Sequence, residues 1–221
     1  MRSLARKLIL KLGVAIHRLD RQIAQATLPT FANAPQNASI QLPREIRNSE
    51  RIYLGDGVRL GPGSVLKAIT RYPGGSLRHP EGKHVEQTFE PVIRIGHRVT
   101  ATASLHVAAL QEITIEDDVM FASNVFMCDG LHGYESADVP FKFQGMRQIA
   151  PITIGKGCWV GQNVVILPGV TIGEYAIIGA NSVVSKDVPA QSIAMGTPAR
   201  VAKRWEASSQ AWLPVTPEVR S

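Results

Sequence analysis

Cysteine is scarce in this sequence. Cys128 and Cys158 are the two among 221 residues, and they form no C-x-x-C pair. That excludes a disulfide scaffold and reads as two reduced, small core residues of a cytoplasmic protein. No run approaches about 20 uncharged apolar residues, which excludes a membrane-spanning helix. A repeated strand–long helix–strand pattern is also missing, which argues against a doubly wound sheet. Beyond its first 24 residues the chain has little net charge. Its 24 Lys/Arg against 18 Asp/Glu give a formal +6. Arg2, Arg6, Lys7, Lys11, Arg18 and Arg21 against Asp20 make the leader +5 and leave +1 for the rest. The body therefore does not read as a nucleic-acid binder. Hydrophobic residues at 44% and charged residues at 19% are those of a chain that folds, and its length suffices for one domain with a real core.

In the leader, Leu4, Leu8, Leu12, Ile16, Leu19 and Ile23 recur at steps of three or four, the stripe of an amphipathic helix. A secretory signal would need an unbroken apolar core and a small-residue cleavage site. Lys11 interrupts the run, and Ala24-Gln25-Ala26 has no such run before it. Residues 1–26 are expected to form a basic amphipathic helix. It either lies on anionic lipid or packs on its own protein or on a neighbouring subunit.

From Ile154, every sixth residue is aliphatic: Ile154, Val160, Ile166, Ile172, Ile178, Val184. The position after each reads Gly155, Gly161, Leu167, Gly173, Gly179, Ser185. Were aliphatics about a quarter of all positions, six in register would arise about once in 4,000 trials. Looser runs of the same step include Leu54, Leu60, Leu66 and Ile115, Phe121, Met127, with Ile40, Ile46, Ile52 as an entry coil. A period of six smears over three faces of an α-helix. It suits short strands joined at tight corners, the aliphatic pointing inward and the following glycine or small residue turning the corner where φ is positive. Three such faces close a coil of 18 residues, as in 154–171 and 172–189. Residues 67–91 and 133–151 break the register, and loops this long within a domain are usually functional or disordered. The expected organisation is a helix over 1–26, a coil body over 27–201 with two loop insertions, and a tail over 202–221 in which Trp205 and Trp212 cover the coil edge.

The run PITIGKGCWVGQNVVILPGVTIGEYAIIGANSVVSKDVP at 151–189 and the closing MGTPARVAKRW at 195–205 resemble the hexapeptide-repeat acyl-CoA acetyltransferases. The similar subgroup is that of the maltose, galactoside and exopolysaccharide O-acetyltransferases, over about residues 113–204. The resemblance implies an all-β fold, a left-handed parallel β-helix. It also implies acetyl-CoA as co-substrate, a homotrimer with sites between subunits, and a saccharide hydroxyl as acceptor in polysaccharide or glycan synthesis.

In that family a histidine ahead of the long loop is the general base, and the matching position is His132, in Cys128-Asp129-Gly130-Leu131-His132-Gly133-Tyr134. An imidazole suits the task because its proton affinity lies near neutrality. Asp129 and Tyr134 are candidates for acceptor contact, and Asp129 or Glu135 for orienting the imidazole. Positions matching the family's CoA contacts are Trp159, Gly161, Gln162, Gly179, Ala180, Ser185, Lys186 and Arg200. The small residues would let the pantetheine arm approach the backbone, Lys186 and Arg200 would meet phosphates, and a backbone N–H near Gly161 or Gln162 would hold the oxyanion. No metal is expected. His79 and His84 give H-x4-H, which invites comparison with the β-helical carbonic anhydrases, but those use three histidines and here the pair lies in an irregular loop. His106 ends a hexad and could share a face with His132. The remaining readings are an amino-sugar N-acetyltransferase, a drug acetyltransferase and a non-catalytic β-helical scaffold. A cytoplasmic location, with peripheral membrane contact through residues 1–24, completes the expectation.

Overall fold

The structure is a computed structural model that describes residues 2–74 and 77–215. The last six residues of the expected tail and two residues of the first insertion lie outside it. The chain winds as a left-handed parallel β-helix of triangular section. The first face orders Ser39–Ile40, Arg59–Leu60, Thr100–Ala101, Met120–Phe121, Trp159–Val160, Ile177–Ile178 and Ser192–Gly196. The second carries Arg44–Arg47, Ser64–Ala68, His106–Ala109, Phe126–Cys128, Val165–Ile166 and Val183–Val184. The third carries Ile52–Leu54, Val92–Ile95, Glu112–Ile115, Ile152–Ile154 and Thr171–Ile172.

The hexad rule sets what fills the prism. Ile154, Val160, Ile166, Ile172, Ile178 and Val184 are each at most 1% exposed. Leu54, Leu60, Leu66, Ile115, Phe121 and Met127, from the looser runs, enter the same core. One continuous column of aliphatic side chains therefore stabilises the body, and each coil contributes to it through parallel backbone pairing with its neighbours.

The corner glycines do a different job from the one expected. Gly155, Gly161, Gly173 and Gly179 are not the left-handed residues. Positive φ falls two positions later, at Gly157, Asn163, Gly169, Tyr175 and Asn181. The glycines after the aliphatics are needed because the next coil runs against them. A Cβ on Gly155 would stand 2.6 Å from the Glu174 nitrogen, and one on Gly173 2.4 Å from that of Ala190. Of the left-handed positions, Asn163 sits in an amide ladder, accepting from Asn124 at 3.1 Å and donating to Asn181 at 2.9 Å.

Both insertions leave from the same edge, where the second face turns into the third. One joins Ser64–Ala68 to Val92–Ile95, and the other joins Phe126–Cys128 to Ile152–Ile154. The strand between them, His106–Ala109, turns this edge through Leu110 and Gln111 alone. The two loops pack on each other across that short corner. The Gln87 side-chain amide pairs with both backbone groups of Met146, at 2.6 and 3.1 Å. The Val85 N–H donates to the Phe143 carbonyl at 3.0 Å. Tyr72, Leu110 and Met146 form a small apolar cluster of their own, separate from the column.

The expected division at 201/202 is crossed by a strand. Ala199–Glu206 folds back on Ser192–Gly196, and Ala211–Pro214 pairs with it, so the end of the chain extends the first face by an antiparallel hairpin. Trp205 and Trp212 are partners across that hairpin, their rings edge to face at 5.4 Å. At the other end the helix Arg2–Ala26 touches the body near its last turn. Ala24 is buried there, and Arg44 donates to the Ala24 carbonyl at 2.8 Å.

Candidate active site between the two insertions

His132 sits on a two-residue strand, Leu131–His132, paired antiparallel with Met146–Arg147 at the other end of its own loop. It follows directly from Phe126–Cys128 on the second face, so the rigid prism fixes one side of the imidazole and the insertion fixes the other. The residue is exposed and opens on a cleft of about 640 Å³. Arg47, Lys67, Arg71, Tyr72 and Cys128 line the same cleft. Glu45 bonds to both Arg47 and Lys67, at 2.6 and 2.8 Å; the ammonium of Lys67 is the main cause holding its carboxyl below the ordinary range. Three bases against one acid leave the cleft positive, which suits a ligand bearing phosphate.

The partner of the imidazole is Tyr72. Its hydroxyl lies 3.2 Å from His132 Nδ1 and also donates to the Lys142 carbonyl. A phenol has one hydrogen. With that hydrogen given to Lys142, the phenol oxygen accepts from Nδ1, an arrangement that in the neutral ring selects the tautomer with its lone pair on Nε2. The Tyr72 ring is 4% exposed, and burial pushes its hydroxyl above the usual tyrosine value, so it stays a neutral phenol. Tyr72 comes from the first insertion and Lys142 from the second; the bridge spans both loops.

Asp129 does not face an acceptor. It is fully buried, one carboxylate oxygen accepting from the Leu110 N–H at 2.6 Å, the other from those of Gln111 and Glu112 at 2.8 Å each. Burial raises its pKa and the backbone donors pull it back. Its work is to tie the short corner, because three donors at a sharp turn, one buried and two partly buried, would otherwise lose their partner. Glu135 is committed to Arg147 at 2.6 Å, so neither carboxylate considered from the sequence orients His132. Tyr134 is 60% exposed, accepts from the Gln148 amide at 3.0 Å, and is not among the residues lining the cleft.

The positions matched to CoA contacts lie elsewhere on the chain. Trp159 points outward from the first face and is 48% exposed. Gly161 and Gln162, and one coil on Gly179 and Ala180, stack at the edge between the first and second faces. Ser185 and Lys186 follow Val183–Val184, and Arg200 is on the hairpin; all three are exposed. None of them lines the His132 cleft. Gly161 has its own packing reason, a Cβ there meeting the Ala180 nitrogen at 2.7 Å. Its N–H already donates to the Ile178 carbonyl at 2.8 Å, so it is not free to hold an oxyanion.

The other candidates are structural. The His106 ring leans on Phe126 with centroids 4.8 Å apart, on the second face and outside the cleft. His79 packs edge-on against Phe143, and its N–H donates to His84 Nδ1 at 3.3 Å. Among the described residues no three His, Cys, Asp or Glu side chains gather as a metal-binding group. Burial raises the thiols of Cys128 and Cys158 to about 11 each, far from nucleophilic thiolates.

Residues 151–186 match the family described as bacterial transferase hexapeptide (six repeats). Escherichia coli WbbJ, named as a candidate lipopolysaccharide biosynthesis O-acetyl transferase, is 29% identical over 180 residues, 78% of this chain and 82% of its own. A Schizosaccharomyces pombe protein named as a candidate acetyltransferase is 40% identical over 161 residues, 69% of this chain and 75% of its own. The crystal structure of AntD, an N-acyltransferase from Bacillus cereus in complex with dTDP and 3-hydroxybutyryl-CoA, superposes with a TM-score of 0.62 at 18% identity, covering 81% of this chain and 86% of that one; this likeness is one of fold. With a hexad register, a fold and a relative all pointing one way, the chain is an enzyme of the hexapeptide-repeat acetyltransferase family.

Proposed function

We propose that this protein transfers acetyl from acetyl-CoA to a saccharide hydroxyl, with His132 as general base. The observation that carries the reading is the relay from His132 Nδ1 through the Tyr72 hydroxyl to the Lys142 carbonyl, which in the neutral ring leaves Nε2 the nitrogen free to accept, on a residue lining a positively charged cleft. Nε2 takes the acceptor hydroxyl proton as the oxygen attacks the thioester carbonyl carbon. A tetrahedral oxyanion forms, the C–S bond breaks, and the departing thiolate takes the proton back from His132 as free CoA. The raised pKa values of both cysteines favour direct transfer over an acyl-enzyme.

The donor site is completed by a second copy, in a homotrimer. Two faces of the prism carry outward rows that are mainly apolar over the later coils: Met120, Trp159, Ile177 and Ile193 on the first, after Arg59 and Thr100, and Val65, Phe126, Val165 and Val183 on the second, with His106 between Val65 and Phe126. The third shows Tyr53, Arg94, Thr114, Thr153 and Thr171. Two unlike sticky faces per chain are what a closed heterologous ring uses. Such a ring brings the Trp159–Lys186 positions of one chain toward the cleft of the next. The saccharide class follows the name of WbbJ, and AntD, an N-acyltransferase, keeps transfer to an amino sugar as the second reading.

The test is mass spectrometry of products from acetyl-CoA and a panel of saccharides and amino sugars, with CoA thiol release followed in parallel. His132→Ala is expected to lower turnover by about 10²–10⁴-fold while CoA still binds. Undiminished turnover overturns the general-base role. An acetylated amine as sole product overturns the hydroxyl acceptor.

A further inference from the structure

The structure assigns a second function to the N-terminal helix: it is a docking surface for an anionic lipid bilayer. The inference stands apart from the acetyl-transfer chemistry. The helix meets the body at Ala24 and Arg44. Successive residues turn by about 100° around a helix axis. Ala24 therefore lies roughly 100° from Ile23, about 80° from Ile16, and about 120–140° from Leu12 and Leu19. Its apolar stripe is open to solvent, with Ile9, Leu12, Ile16 and Leu19 at 69%, 60%, 59% and 55% exposed.

An apolar stripe this open needs a cover, and its flanks say which kind. Lys11, Arg18, Arg21, Arg6 and His17 are exposed around the rest of the circumference, with Leu10 and Val14 among them, and Asp20 is the one acid of the helix. Parallel helices of neighbouring subunits would bring these like charges together. A surface of anionic headgroups neutralises them while the Leu and Ile side chains enter the acyl boundary. The helix is not long and apolar enough to cross a membrane, so it lies in the interface plane. The +1 body contributes little attraction of its own.

The test uses the full chain and two kinds of vesicle: phosphatidylcholine with about 30% phosphatidylglycerol, and phosphatidylcholine alone. Co-sedimentation is expected with the first and not with the second. Each basic residue near an anionic surface adds roughly fivefold to partitioning, so Lys11→Gln/Arg18→Gln/Arg21→Gln is expected to lose about a hundredfold. Ile16→Asp/Leu19→Asp is expected to abolish binding, with the oligomer mass in solution unchanged by analytical ultracentrifugation. Three results overturn the proposal: wild-type protein that stays in the supernatant, a charge-removed variant that binds as tightly as wild type, or a stripe variant whose oligomer falls apart. The last would make the stripe a seam between copies of this chain.

Discussion

Coils 152–184 and the edge that carries His132 are adjacent in space and held by different forces. In the coils every sixth side chain enters one apolar column, and little polar matter is buried with it. At the edge, three backbone donors converge on the Asp129 carboxylate, an amide side chain clasps Met146, and a phenol bridges two loops. Apolar packing is forgiving of sequence as long as volume is kept. A polar network is not, because each member lost leaves another unpaired in a place water does not reach. The coils can therefore serve as a scaffold that varies freely, while the edge fixes one imidazole in one tautomer. That difference predicts where single substitutions hurt.

The largest effect is expected at Asp129. Alanine there removes the acceptor of the Leu110, Gln111 and Glu112 N–H groups. At about 1–3 kcal/mol for the buried donor and less for the two partly buried ones, the variant should lose roughly 2–5 kcal/mol of unfolding free energy. Denaturant titration measures it. Asp129→Asn keeps one acceptor oxygen and should lose less. If Asp129→Ala costs no more than a surface substitution, the edge is not held by polar bonding and the contrast with the coils fails.

Tyr72→Phe comes next. It keeps the ring that packs with Leu110 and Met146 and removes only the oxygen between His132 and Lys142. Tyr72 is a positioning residue, so kcat should fall about tenfold while KM for both substrates and the melting temperature stay near wild type. A rise in KM with kcat unchanged would mean that the phenol contacts acceptor instead. An unfolded variant would be answered by Lys142, whose contribution is a backbone carbonyl: Lys142→Ala should leave the relay intact and kcat unaltered.

What could be read from the sequence follows the same division. The coil register was legible because one physical demand, a small prism filled by one aliphatic per hexad, repeats with a fixed period. The role of the glycines was only half legible: composition marks a tight place, but the close approach of Glu174 to Gly155 needs the stacked coils to be seen. His132 could be located from its motif and its place at the end of a coil. Tyr72 could not, since it lies 60 residues away in a segment with no periodicity. The one available sign was that both insertions leave after an inward residue of the same face, Leu66 and Met127. Asp129 is near His132 in the chain but not near the acceptor, because at that corner its side chain turns inward onto three backbone donors. The hairpin 199–214 was missed as structure because antiparallel pairing replaces the hexad rule there.

His106 gives the smallest effect and the sharpest division between the two regions, since it is a histidine on a regular coil strand. Burial lowers its pKa, the ammonium of Lys67 lowers it further, and Glu45 acts in the opposite direction. Its neutral ring leans on Phe126. In the unfolded chain a histidine takes up its proton near pH 6.5; in the folded protein it does so at lower pH. Between those two values the unfolded state binds more protons, so stability is full above about pH 6.5 and falls as the pH drops through the folded value. His106→Gln removes that contribution. Unfolding free energy measured between about pH 7.5 and pH 5 should decline less steeply in the variant, while the pH dependence of acetyl transfer keeps its wild-type shape. Equal stability slopes would mean that His106 is as well solvated when folded as when unfolded. An altered activity profile would instead draw His106 into the active site, and the coil face could no longer be regarded as scaffold alone.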